Sequence, residues 1–166
     1  MYMTESLGDE YKDWGRIDRP DDYYVMRYGA KTYAENVVFL SAPTGTGKTT
    51  FVLKVFADYQ ISQKWAHVLI LVPRKILAEQ LQSIWMDFLA TKETEDFARY
   101  AARLQIKTYQ GLENELARGR NFEEFDCVVC DKCHYFIEDA LFNANTQASF
   151  TWLCNFIREQ RTLTVC

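Results

Sequence analysis

The stretch "APTGTGKTT", Ala42 to Thr50, holds the residues best suited to gripping a phosphate chain. Gly45 and Gly47 let the backbone turn its amides inward without a Cβ clash. Those amides and a helix N-terminus together form a nest for an anion. Lys48 can reach the β- and γ-phosphates of ATP, and the Thr49 hydroxyl can hold Mg²⁺. The candidate nucleotide-binding set is therefore Thr44, Gly45, Thr46, Gly47, Lys48, Thr49 and Thr50. The stretch follows a short apolar run and opens a helical pattern, the context this motif requires. The strict pattern begins with Gly, and here that position is Ala42. The competing reading is a Gly-rich turn with an incidental lysine; the agreement of strand, loop, Lys-Thr pair and helix weighs against it.

A second chemical group lies at "CDKCH", Cys130 to His134. An ATP-hydrolysing site needs an acidic residue at the end of a neighbouring strand to position Mg²⁺. Asp131 ends the apolar run "CVVCD" and fits that role. The position after it, where a carboxylate would polarise the attacking water, is Lys132. Lysine has a reference pKa of about 10.4. The γ-phosphate favours its charged form and Mg²⁺ opposes it; an ammonium has no lone pair to accept a proton. Losing a positioned general base costs about 10²- to 10⁴-fold in rate. Nucleotide binding need not suffer, because a cation beside the phosphates is electrostatically acceptable.

The same segment spells C-x-x-C-x-x-C-H through Cys127, Cys130, Cys133 and His134, which superficially suggests zinc or an iron–sulfur cluster. Cys127 and Cys130 lie in a predicted strand, where residues three apart point to opposite faces. No Gly or Pro loosens the segment into the turn that metal-binding pairs use. Packing as small apolar residues is the better reading, with a Cys-ligated metal protein as a remote alternative.

The elements that must position these groups alternate along the chain. "VVFLS" (Val37 to Ser41) reads as a buried strand, and Thr49 to Tyr59 has helical spacing. "HVLILV" (His67 to Val72) is a second strand. Ile76, Leu77, Leu81, Ile84, Trp85 and Phe88 then mark an amphipathic helix. "LQIKTY" (Leu104 to Tyr109) is a third strand, followed by a short helix ending near Gly119. "FDCVVCD" (Phe125 to Asp131) is a fourth, Thr146 to Gln160 a helix, and "TLTVC" (Thr162 to Cys166) the start of a fifth. Apolar strands alternating with amphipathic helices imply an α/β fold, a parallel sheet with helices on both faces. Ligands of such sheets bind at the carboxyl ends of the strands, where both chemical groups fall. Residues 1–36, polar, acidic and Tyr-rich, are expected to be an N-terminal extension to a domain spanning 37–166. Trp14, Tyr23 and Tyr24 within it read as packing residues before adenine-stacking ones.

The 166 residues, 48% hydrophobic and 25% charged, suit a packed domain or slightly more. The net charge of −4 disfavours a small module whose affinity rests on a basic surface. It leaves room for a nucleic-acid motor that uses a few local contacts. No apolar stretch is long enough to span a bilayer, so no membrane partner is expected. The acidic N-terminus has no basic-then-apolar export pattern, and the cysteine count of 5 is odd; a reduced, cytoplasmic protein is the expectation.

With "APTGTGKTT" and "CDKCHYF" in hand, the chain resembles the first RecA-like domain of superfamily 2 helicases, the DEAD/DEAH-like group, over about Val37 to Cys166. Two weaker blocks join them. "VPRKILAEQ" (Val72 to Gln80) resembles the family's Ia motif, with Pro73, Lys75, Leu77, Ala78 and Gln80 in register and Arg74 in place of its threonine. "TYQGLENEL" (Thr108 to Leu116) resembles the Ib region. In the family these loops touch the nucleic-acid backbone, which nominates Arg74, Lys75, Thr108, Tyr109 and Gln110 for DNA or RNA. "DKCH" occupies the place of D-E-x-H: Asp131 is then the metal-positioning acid, Lys132 sits where the catalytic Glu belongs, and His134 where ATP state is coupled to the other domain.

The resemblance implies a P-loop NTPase fold and an ATP- and Mg²⁺-binding domain of a helicase or translocase. Hydrolysis is expected to be weak or absent because of Lys132. A non-hydrolysing, nucleotide-dependent interaction module is the alternative. No Gln precedes Gln60, so the adenine-reading glutamine of DEAD-box proteins has no counterpart. Cys166 falls about where the S-A-T motif is expected, so the domain is expected to be incomplete here and the second RecA-like domain, needed together with the first for unwinding, to be missing.

Overall fold

A computed structural model describes residues 37–39, 47–132, 144–159 and 162–165. Its centre is a parallel sheet of β1 (Val37–Phe39), β2 (Val68–Val72), β3 (Leu104–Thr108), β4 (Cys127–Cys130) and β5 (Thr162–Val165). The spatial order is β1-β5-β4-β2-β3, and every neighbouring pair runs parallel. The order places β5 between β1 and β4, so the segments that follow β1 and β4 emerge at the same edge of the sheet, one strand apart.

β2 is buried at every position because it lies between β4 and β3 with helices on both faces. Its alternate side chains enter two separate cores. Val68, Ile70 and Val72 join Cys127 and Val129 of β4 on one face; Leu69 and Leu71 join Val128 and Cys130 on the other.

The first face is covered by one continuous helical run in three parts. α1 (Lys48–Phe51) leads into a π-helical stretch, Val52–Ala57, and then α2 (Asp58–Lys64). The wider π turns bury Val52, Leu53, Phe56 and Ala57, which a regular helix over Thr49 to Tyr59 does not anticipate. The run ends at Trp65, whose φ of 55° is left-handed and whose ring carries the Arg99 and Arg103 guanidinium groups at 4.6 and 5.1 Å. α3 (Lys75–Leu89) completes the cover with Ala78, Leu81, Trp85 and Leu89, the expected amphipathic spacing. α4 (Thr94–Ala101) is an element that the alternation of long apolar runs does not reveal; Tyr100, buried, and Phe97, partly buried, hold it to this core.

The second face is covered by α5 (Tyr109–Ala117) and α6 (Ala144–Arg158). Leu112, Phe122, Phe125, Leu153 and Phe156 pack there against Leu69, Leu71 and Val128. Glu113, 1% exposed, also lies between these helices and accepts a hydrogen bond from the Ser149 hydroxyl at 3.3 Å. Helices on both faces of a parallel sheet are thus present as the alternation implies. The third strand stops at Thr108 instead of Tyr109, and the fourth occupies Cys127–Cys130 within the expected Phe125 to Asp131.

Candidate functional site

The described end of the phosphate loop is a sharp turn into a helix. Gly47 has φ 87°, a left-handed conformation that costs glycine nothing and an L-residue about 1–2 kcal/mol. The Phe51 amide donates to the Gly47 carbonyl at 3.0 Å, so helical bonding begins at once. Lys48 and Thr49 occupy the first turn and are half-buried, while Thr50 is exposed. Amides of a first helical turn have no intrahelical acceptors and attract an anion. Thr44, Gly45, Thr46 and His134, expected at the same site, lie outside the described residues.

Asp131 follows β4 at the carboxyl edge. Its amide donates to the Leu71 carbonyl at 2.9 Å, which extends the β2–β4 ladder by one bond and fixes where the residue leaves the sheet. Its carbonyl accepts a hydrogen bond from the Tyr109 hydroxyl at 2.8 Å. Thr49 and Asp131 line one small cavity together with Val52, Leu53, Ile70, Leu81 and Val129. Thr49 and Asp131 are the polar residues of an otherwise apolar lining, and a hydroxyl and a carboxylate are oxygen donors of the kind Mg²⁺ takes, so these residue types fit the ion. Lys132 is exposed beside them, with φ 56°.

The cysteines resolve differently from the metal alternative. Cys127 packs in the core under α1 to α4 and Cys130 in the core under α5 and α6, on opposite faces of β4. They cannot ligate one ion. Burial pushes the Cys127 thiol well above its ordinary range, the state of an inert packing residue. Among the described residues no cluster of His, Cys, Asp and Glu has the makings of a metal cage.

The five residues nominated for nucleic acid are brought to one edge but do not all face outward. The pairing of Val72 with Thr108 sets the start of α3 beside the start of α5. Arg74 and Lys75 are exposed, with the Lys75 ammonium 3.5 Å from Glu79. Gln110 is exposed. Thr108 is half-buried and its hydroxyl caps α5, accepting from the Gly111 amide at 3.0 Å. Tyr109 is fully buried, so its side chain presents no surface to a polymer and instead reaches Asp131. The spacing Tyr109, Leu112, Glu113, Leu116 is helical and carries this inward placement; reading Tyr109 as the last residue of a strand conceals it.

The family described as "Type III restriction enzyme, res subunit" matches residues 12–163. Comparison with curated proteins gave no match. Among solved structures the chain is similar to a hypothetical ATP-dependent RNA helicase from Sulfolobus tokodaii, with a TM-score of 0.51 and 16% identity. The similarity covers 87% of this chain and 48% of that one. At that identity the likeness concerns the fold, and the chain spans about half the length of that neighbour.

Proposed function

From the premise that the chain belongs to the type III restriction enzyme res-subunit family, within helicase superfamily 2, we propose that it binds Mg·ATP as the first RecA-like domain of a nucleic-acid helicase or translocase, with hydrolysis suppressed by Lys132. The observation that carries the reading is the shared cavity of Thr49 and Asp131 at the carboxyl edge of the sheet. The first-turn amides and Lys48 would hold the β- and γ-phosphates, and Thr49 and Asp131 the Mg²⁺. Hydrolysis of ATP supplies the free energy that such motors spend on moving along a polymer, and this is the step that Lys132 would limit. Lys132 contributes positive charge at the position where the family has a base. Arg74, Lys75 and Gln110 would touch the polymer backbone from the neighbouring edge, and a second RecA-like domain would close the groove. His134 would report nucleotide state to that partner.

The decisive measurement is equilibrium binding of labelled ATP to the purified chain and to Lys48→Ala. Binding to the first and its loss in the second is the expected result. No binding to the intact chain, or equal binding to both, would overturn the proposal. The exposed, left-handed placement of Lys132 beside Asp131 favours one second reading, a module whose nucleotide occupancy is read by a partner without turnover. ATPase assays on Lys132→Glu with and without DNA or RNA separate the two: polymer-stimulated turnover by that variant supports the motor domain, and no response to polymer supports the module.

A further inference from the structure

Tyr109 stands out among the buried polar groups at the nucleotide end of the sheet. It is the first residue of α5, entirely enclosed with Leu69, Leu71, Leu112, Val128 and Cys130, and its ring has no route to solvent. The hydroxyl of a buried tyrosine needs a partner, and here that partner is the backbone carbonyl of Asp131 at 2.8 Å. The contact joins the ends of β3 and β4, which are not neighbours: β2 lies between them. The same Asp131 peptide is held on its other side, where its amide donates to the Leu71 carbonyl at 2.9 Å. Asp131 therefore has both backbone polar groups engaged as it leaves the strand. The peptide that follows leads into Lys132 at φ 56°, a conformation that an L-residue adopts at a cost and keeps only where surrounding contacts over-determine it. The Tyr109 hydroxyl grips the one carbonyl between the two residues.

We infer that Tyr109 is a positioning residue for the metal site: its hydroxyl fixes the Asp131–Lys132 peptide and so aims the Asp131 carboxylate at the Mg²⁺ position. This rests on the reading of Asp131 as the metal-positioning acid. It gives the segment Thr108–Gln110 an inward duty beside the polymer contact that its neighbours Arg74 and Gln110 are placed to make. The hydroxyl is enclosed and bonded to the Asp131 carbonyl, so its effect would reach the site through Asp131 and appear in the metal dependence of binding, not in the grip on the phosphates.

The test titrates Mg²⁺ against binding of a fluorescent ATP analogue, with a parallel measurement in EDTA, for the intact chain, Tyr109→Phe and Asp131→Asn. Phenylalanine keeps the ring and removes only the hydroxyl. Tyr109→Phe should raise the Mg²⁺ concentration for half-maximal binding about fivefold, the equivalent of one neutral hydrogen bond of about 1 kcal/mol. Its affinity in EDTA should stay unchanged, which also reports that the phosphate loop is folded. An unchanged Mg²⁺ requirement in Tyr109→Phe, alongside a raised one in Asp131→Asn, overturns the role of Tyr109 and leaves that of Asp131 standing. An unchanged requirement in Asp131→Asn overturns the metal-site reading itself. Loss of binding by Tyr109→Phe in EDTA as well would make the hydroxyl a general structural support and overturn the inference.

Discussion

In the proposed reading, Lys132 is the residue that limits ATP turnover. It is exposed, and its left-handed backbone costs any residue with a Cβ about the same. Exchange for glutamate therefore changes charge and proton affinity while leaving the backbone term nearly untouched. Glutamate at this position would return a base next to the acid that holds the metal, and a positioned base is worth about 10²- to 10⁴-fold. Phosphate release by Lys132→Glu in the presence of Mg·ATP and nucleic acid should exceed that of the unaltered chain by about 10²-fold or more. Single-turnover assays on the two chains, matched for bound nucleotide, make the comparison. Equal rates would mean that the side chain after Asp131 does not limit hydrolysis, and the suppression assigned to Lys132 would have to be abandoned.

At the scale of elements, α5 is tied to its own strand by charge. The Lys107 ammonium donates to Glu115 at 2.7 Å, and Arg120 pairs with the same carboxylate. Burial pushes the Glu115 carboxyl up, but the hydrogen bonds and charges of Lys107 and Arg120 outweigh it and hold the group below its usual value of 4.5. A carboxyl whose pKa is lowered by folding adds stability that is fully present above 4.5 and is lost as pH falls through the lower, folded value. Glu115→Gln should therefore cost roughly 1–2 kcal/mol at neutral pH and little in strong acid. Urea melts at the two pH values give the difference directly; an equal cost at both would assign the contact to packing. Much of this element's surroundings was legible beforehand. Unbroken apolar runs mark β2 and β4, Gly47 and the Lys-Thr pair mark the turn into α1, and the period of Ile76 to Phe88 marks α3. These are local signals, carried by consecutive or regularly spaced residues. Tyr109 escaped because its duty is set two strands away, at Asp131, and a strand ending and a helix starting on the same residue look alike in sequence. α4 escaped because it is short and mostly polar, and Phe97 and Tyr100, its only large apolar residues, share one face over too few residues to stand out. The π turns of Val52–Ala57 escaped because their widening answers to packing under the sheet.

The described residues separate a buried centre from the proposed binding edge, and that separation can be measured. β2 and β4 send side chains into cores on both faces, while Thr49 and Asp131 sit beyond the strand ends. A ligand that binds the folded chain and not the unfolded one stabilises it by about 2.7 kcal/mol at a hundredfold excess over Kd. For a chain of 166 residues, each kcal/mol moves Tm by about 2–4 °C. Saturating Mg·ATP should therefore raise Tm by roughly 5–10 °C. Lys48→Ala should abolish that rise with little effect on the ligand-free Tm, because Lys48 is half-buried at the binding edge and belongs to neither core. Leu71→Ala should do the reverse. Leu71 is completely buried in the core under α5 and α6, and removing its side chain costs about 2–5 kcal/mol. The ligand-free Tm should fall accordingly, yet the increment on adding Mg·ATP should survive, since the cavity of Thr49 and Asp131 opens on the other face beside Ile70 and Val129. Calorimetric scans of the three chains with and without Mg·ATP test both halves. A Leu71→Ala chain that stays folded but loses the increment would show that the two cores do not act independently of the nucleotide edge.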